Sequence, residues 1–196
     1  MADRVATVER NTKETKIKVR LNLDGSGQCS TRTGVGFFDH MLDGFARHGL
    51  FDLEVVCDGD LHVDSHHSIE DVGIVLGEAI KKAVGDKKGI RRYGSCTLPM
   101  DEALILCAVD LSGRPYFESD VCFTVPKIGD MDTEMVRDFF YAITYSSGMN
   151  LHFVQHRGFN NHHLAEGSFK SFAKALDMAT TYDDRITGVL STKGVI

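Results

Sequence analysis

Two copies of one short pattern dominate the chemistry of this sequence: His66-His67-x-x-Glu70 and His162-His163-x-x-Glu166. With nine histidines and nine glutamates in 196 residues, this pattern should arise about 0.02 times in a shuffled chain. Imidazole and carboxylate at helical spacing are metal-ligand chemistry, and both motifs are read that way. Successive residues on a helix point roughly 100° apart, so adjacent histidines cannot readily converge on one ion, and two ions are implied. The glutamate lies three and four positions on, beside both histidines. Each motif can therefore offer a histidine and a carboxylate to one ion and a lone histidine to another. The spacing predicts that the second motif completes what the first leaves open, with His40 on a preceding helix as a further ligand. Donors without thiolate suit Mn, Fe, Zn, Co or Ni, and a ligand count above four favours six-coordinate Mn(II) over tetrahedral zinc. Asp64, Asp71 and Asn161 flank the motifs, either as helix caps and exposed polar residues or as groups that orient the ligands.

A second set of residues is basic. Lys87, Lys88, Arg91 and Arg92 fall near the middle of the chain, Arg114 sits in a turn, and Ser191-Thr192-Lys193-Gly194 lies in the tail. Arginine forks with hydroxyl and backbone donors hold a phosphate well, so beside a metal site they suggest a small phosphorylated substrate.

These residues must be carried by regular elements. Ile17, Val19, Leu21 and Leu23 alternate before Asp24-Gly25-Ser26-Gly27, which reads as a strand over 15–23 and a turn. Phe37, Phe38, Met41, Leu42 and Phe45 recur at helical spacing over 37–48, with Gly49 placed to stop that helix in a left-handed cap. A strand at 51–57 follows, then a largely buried helix from His66 to about Val84, ended by Lys87-Lys88-Gly89. After about Tyr93 the order returns: a strand over 103–111, the Ser112-Gly113-Arg114-Pro115 turn, another strand, a helix over 133–147, a strand over 149–155 and a helix from His162. A shift of 88 pairs Glu14 with Glu102, Ile17 with Ile105 and Gly25 with Gly113, and a shift of 96 pairs the two histidine motifs. The offsets differ by a loop-sized insertion, as a duplication allows. The predicted organisation is an α+β fold of two half-domain repeats, 1–93 and 94–196, each a sheet covered by two helices, with the helices of both buried together.

Composition narrows the class further. A net charge of −6 argues against a nucleic-acid groove, where a basic stripe would be expected. No apolar run is long enough to cross a bilayer. Met1-Ala2-Asp3-Arg4 opens directly into alternating sequence with no signal-type apolar segment, so a cytoplasmic protein is expected. Five scattered cysteines without a C-x-x-C pair read as reduced, mostly buried thiols.

With these motifs assembled, the chain resembles the imidazoleglycerol-phosphate dehydratases of histidine biosynthesis. The resemblance runs through Val8-Glu9-Arg10 with Glu14-Thr15, Phe38-Asp39-His40-Met41-Leu42, and Gly59-Asp60-Leu61-His62 leading into Asp64-x-His66-His67-x-x-Glu70-Asp71. It continues through Lys88-Gly89-Ile90-x-Arg92, Ser112-Gly113-Arg114-Pro115-Tyr116, Asn161-His162-His163-x-x-Glu166 with Phe169-Lys170, and Ser191-Thr192-Lys193-Gly194.

What the resemblance implies is a lyase that removes water from imidazole-glycerol phosphate to give imidazole-acetol phosphate, through an imidazolate stabilised by two manganese ions. It implies a duplicated fold of mixed four-stranded sheets, ribosomal protein S5 domain 2-like, in a 24-subunit shell with sites at subunit contacts. By motif position the metal ligands are His40, His66, His67, Glu70, His162, His163 and Glu166. Substrate and phosphate contacts fall to Glu14, Arg92, Arg114, Lys170, Ser191, Thr192 and Lys193. Glu166 and Glu70 are candidates for the base, and Glu14 for the base or an anchor of substrate hydroxyls. One position departs from the pattern: Asp138 stands where many members have histidine, and as a hard oxygen donor it can still serve manganese. Bifunctional members add a phosphatase domain, which is not expected in these residues. A metal-dependent hydrolase and a metal-storage or sensor protein are the competing readings.

Overall fold

The computed structural model describes residues 4–196; the reading of Met1-Ala2-Asp3 as leaderless falls outside them. Strict alternation of apolar residues builds the first sheet. In β2 (Thr15–Asn22) Ile17, Val19 and Leu21 face inward and the lysines and arginine between them face water, the pattern of a half-buried strand. It pairs antiparallel with β1 (Val5–Asn11) and with β4 (Asp52–Gly59). The short β3 (Cys29–Arg32) then adds parallel to β4, giving the order β1-β2-β4-β3. Helix α1 (Gly36–Gly49) links β3 to β4, and α2 (His66–Val84) follows β4.

The second half repeats this plan. Strands β5 (Tyr93–Met100), β6 (Ala103–Asp110) and β7 (Tyr116–Ser119) are joined by β10 (Asn150–Arg157) in the order β5-β6-β10-β7, again with the last pair parallel. Between β7 and α3 (Glu134–Ser147) lies a small hairpin, β8 (Lys127–Ile128) and β9 (Met131–Asp132), which has no counterpart in the first half. This hairpin is the insertion behind the unequal offsets. The chain ends with α4 (Asn161–Thr180) and an extended tail.

Helices from opposite halves pack on one another, α2 against α3 and α1 against α4, while α2 and α4 also cover their own sheets. The shared core between the sheets is aromatic. Phe38 meets Phe139 edge-on at 5.1 Å and Phe139 stacks on Phe169 at 5.1 Å, joining three helices, and all three rings are buried. Edge-on and offset pairs of this kind add to their area burial. Glycines allow the α2–α3 approach: a methyl group on Gly77 would lie 2.7 Å from the Ile143 carbonyl oxygen and one on Gly73 2.9 Å from the Phe139 carbonyl oxygen.

Two expectations are corrected. Gly49 is not the left-handed cap of α1; Leu50 takes that conformation at φ 57°, and Gly49 remains helical. Gly49 is needed for space, since a Cβ there would fall 2.3 Å from the Phe51 ring. All five cysteines are free, but only Cys57 and Cys107 are buried, and Cys122 is exposed. Among the described residues no helix is long and apolar enough to cross a membrane.

Candidate metal centre

Each histidine motif opens a helix, where its side chains leave the first turn close to a strand end. The two copies share one local geometry: the rings of His66 and His67 lie 6.1 Å apart at 83°, and those of His162 and His163 likewise 6.1 Å apart at 83°. Neighbouring histidines therefore diverge, as helix geometry requires.

The second motif gathers a three-donor group. Glu166 Oε2 lies 2.9 Å from His162 Nε2 and 3.7 Å from His40 Nε2, which α1 delivers from the other half. Among the described residues only His40, His162 and Glu166 bring three potential ligand atoms within 4.8 Å of one another. The start of α1 lacks a side-chain cap of its own and is held by Asp130 of the β8–β9 turn, whose carboxylate accepts from the backbone N–H of Gly36 (2.7 Å) and Phe37 (3.2 Å). Phe37 in turn packs edge-on against His162, with ring centres 5.1 Å apart. The inserted hairpin thus fixes the helix end that carries His40.

Glu166 is buried, and both its oxygens are engaged, Oε1 by Lys170 Nζ at 2.6 Å and Oε2 by the histidines. Burial alone would raise its pKa, but the bond and charge of Lys170, with His162 and His40, outweigh that and hold the carboxyl below its ordinary value. Within one chain Lys170 therefore serves Glu166 and does not join the other phosphate candidates.

In the first motif His66 Nε2 and Glu70 Oε2 lie 3.6 Å apart, both side chains 44 % exposed. Among the described residues neither belongs to a three-donor group, and Asp138 on α3 adds no third donor. The predicted meeting of the two motifs does not occur inside one chain. Helix pairing explains this: α1 brings His40 to α4, whereas α3 packs on α2 with a shorter side chain at the matching position.

The inner nitrogens of the other two histidines are also engaged. His67 Nδ1 bonds Asp60, 3.0 Å from Oδ2, which raises the pKa of the imidazole. His163 Nδ1 bonds Glu102 Oε2 at 2.7 Å, and that bond is the main reason the Glu102 carboxyl is lowered to about 2. Sequence reasoning assigned no role to either carboxylate, although Asp60 stood in a quoted motif and Glu102 in the repeat alignment.

The basic residues converge elsewhere. Arg92, Arg114, Ser191, Thr192 and Lys193 line one cavity of about 780 Å³ under the C-terminal tail, together with Arg185, which has no motif to announce it. Buried Arg92 bonds both oxygens of Asp110 at 2.7 and 3.2 Å and the Leu190 carbonyl at 2.7 Å, so it also ties down the tail. Its backbone N–H bonds the carbonyl of Ala179 at the far end of α4. Thirteen residues separate Ala179 from Glu166, which is about 20 Å along a helix. Glu14, at the β1–β2 turn, is exposed and its carboxylate has no hydrogen-bond partner among the described residues.

Comparison with known proteins decides the family. The model of the imidazoleglycerol-phosphate dehydratase family matches residues 33–176. The chain belongs to that family. A relative from Lachnoclostridium phytofermentans, an imidazoleglycerol-phosphate dehydratase, is 60% identical over 194 residues, covering 99% of each chain. One from Acetivibrio thermocellus is 57% identical over 194 residues, covering 99% of this chain and all of the relative. The crystal structure of the family member from Pyrococcus furiosus superposes with a TM-score of 0.84 at 34% identity, over 96% of this chain and 100% of that one. The member from Staphylococcus aureus gives 0.83 at 36% identity, over 91% and 99%. The duplicated α+β fold expected from the repeat is thus that of the family structures.

Proposed function

We propose that this chain dehydrates imidazole-glycerol phosphate to imidazole-acetol phosphate, a step of histidine biosynthesis in the cytoplasm, using two Mn(II) ions per site. Family membership supports the reaction, and the observation that carries the metal requirement is the His40–His162–Glu166 group. Imidazole and carboxylate donors without thiolate fit an ion of the manganese type. His66, His67, Glu70 and His163 would supply the remaining ligands, with Asp138 the weakest candidate. When bound, the two ions supply Lewis acidity at the substrate's ring nitrogens.

The chain's own residues do the rest. The proton to be removed sits on a carbon without a carbonyl neighbour, so the base must be well placed and free. Glu14 answers that description, being exposed and unpartnered, whereas Glu166 has both oxygens committed. Glu14 takes the proton from the second side-chain carbon and the hydroxyl on the carbon beside the ring departs, that proton and hydroxyl together making the water lost, and the resulting enol tautomerises to the ketone. Arg92, Arg114, Ser191, Thr192 and Lys193 hold the phosphate by charge and hydrogen bonds.

A substrate of this size cannot span the roughly 20 Å of α4 between Glu166 and the arginine cavity. One chain therefore offers its metal group to one substrate and its phosphate cavity to another, which supports a symmetric homo-oligomer with sites at subunit contacts, of 24 copies in this reading. There Lys170 can approach a phosphate presented by a neighbour. The test is ketone formation from imidazole-glycerol phosphate during Mn(II) titration, followed by mixing inactive Glu166→Gln and Arg92→Ala chains under conditions of subunit exchange. Turnover by the wild type and partial recovery on mixing are expected; a metal-loaded wild type without turnover overturns the reaction, and no recovery after proven exchange overturns the shared site.

A further inference from the structure

The second histidines of the two motifs, His67 and His163, occupy the same place in the repeat, yet their rings are held by carboxylates from different places. In the second half the holder is Glu102, on the β5–β6 turn, with Oε2 2.7 Å from His163 Nδ1. In the first half the residue at that turn is Glu14, and it makes no such bond; the holder is Asp60, just beyond β4, with its two oxygens 3.2 and 3.0 Å from His67 Nδ1. The second-half position that corresponds to Asp60, at the shift of 98 that relates β4 to β10, is Gly158, which has no side chain to offer. The duty has moved from one turn to another between the halves.

An ionised carboxylate only accepts hydrogen bonds, so in both pairs Nδ1 must carry the proton. The lone pair is then on Nε2. For His67, Nε2 has no hydrogen-bond partner among the described residues, and for His163 it meets only the exposed Asp101 carboxylate at 3.8 Å, beyond bonding distance. Glu102 is itself fixed, since Oε1 accepts from the backbone N–H of Asn160 at 2.9 Å and of Phe159 at 3.4 Å. Asn160 caps α4 by accepting from the N–H groups of His162 and His163. The ring of His163 is therefore tied to the helix start that carries the motif.

We propose that Glu102 and Asp60 are positioning residues, each holding the second histidine of its motif in the tautomer whose Nε2 can bind a metal ion, and that moving this duty to Asp60 in the first half leaves Glu14 free to meet the substrate. This rests on the metal-dependent reading above. Glu102→Gln discriminates well. Its amide oxygen can keep the bonds to Asn160 and Phe159, which turns the NH2 toward His163 Nδ1, so that Nδ1 must accept and the proton shifts to Nε2. Asp60→Leu removes the acceptor at His67 Nδ1 altogether, and the Asp60 side chain has no backbone bonds to lose.

The assembled protein is titrated with Mn(II), free metal being followed by its electron paramagnetic resonance signal, and the histidine tautomers of the metal-free protein are read by ¹⁵N NMR. Both variants are expected to keep wild-type circular dichroism and to lose about 10- to 100-fold in affinity for one of the two ions, with the His163 tautomer switched in Glu102→Gln and the His67 tautomers mixed in Asp60→Leu. Glu14→Gln is expected to bind both ions as the wild type does. A wild type that binds no manganese defeats the metal reading itself. Wild-type binding with unchanged affinity in both Glu102→Gln and Asp60→Leu, or unchanged tautomers, overturns the positioning role alone.

Discussion

The α1–α4 and α2–α3 helix pairs occupy equivalent places in the duplicated fold and carry the same His-His-x-x-Glu motif, yet among the described residues only the first assembles a three-donor group. In the α1–α4 pair His40 reaches across to Glu166, and the carboxylate is buried against Lys170. In the α2–α3 pair the position equivalent to His40 is Asp138, the helices close tightly on Gly73 and Gly77, and Glu70 stays open to solvent. Duplication copies the motif and its backbone frame. Whether a copied motif becomes a complete site depends on the helix from the other half.

This difference can be broken most directly at Glu166. Glu166→Gln removes the carboxylate that Lys170, His162 and His40 share, and should lower kcat/KM by about 10²- to 10³-fold. Glu70→Gln, measured in the same steady-state assay, should cost less if the first motif is the more solvated half.

Packing offers the next test. Gly77→Ala puts a methyl group 2.7 Å from the Ile143 carbonyl oxygen in the α2–α3 interface and should destabilise by about 1–3 kcal/mol in urea unfolding. Gly44→Ala in α1, where nothing lies within 4 Å, should be neutral or stabilising by up to about 1 kcal/mol. Equal effects would show that the two helix pairs are packed alike.

A gain-of-ligand variant sharpens the comparison further. Asp138→His gives the α2–α3 pair the longer donor that α1 has in His40, and should tighten Mn(II) binding about 10-fold at the weaker ion. Unchanged affinity would locate the asymmetry in backbone placement and not in side-chain reach.

The smallest effect is one of pH. The Glu102 carboxyl lies at about 2 in the folded chain, against an ordinary value of 4.5. A lowered carboxyl contributes stability that is fully present above its unfolded value and is lost as pH falls through the folded one. Metal-free protein should therefore lose this contribution between about pH 4.5 and 2, and Glu102→Gln should flatten that part of the stability curve. Urea midpoints across this range would decide it.

Much of the frame was legible in the sequence. Alternation in 15–23 and helical spacing in 37–48 and from His66 onward reflect burial of one face, which any stable sheet or helix of this kind must satisfy. The β8–β9 hairpin was visible only as a change of offset, because strands of two residues are too short to leave a period. Gly49 was misread since a glycine near a helix end serves handedness or space equally well, and only the Phe51 ring tells them apart.

The sequence by itself determined that two copies of a His-His-x-x-Glu motif exist and that neighbouring histidines diverge, since both follow from residue type and helical pitch. The tertiary structure decided which motif receives a third donor, which carboxylates hold His67 and His163, and that Lys170 lies on Glu166 while the arginines gather under the tail. These depend on contacts between residues far apart in the chain, such as Asp130 with α1 or His40 with Glu166. Local spacing carries no information about which helix end a distant turn will meet.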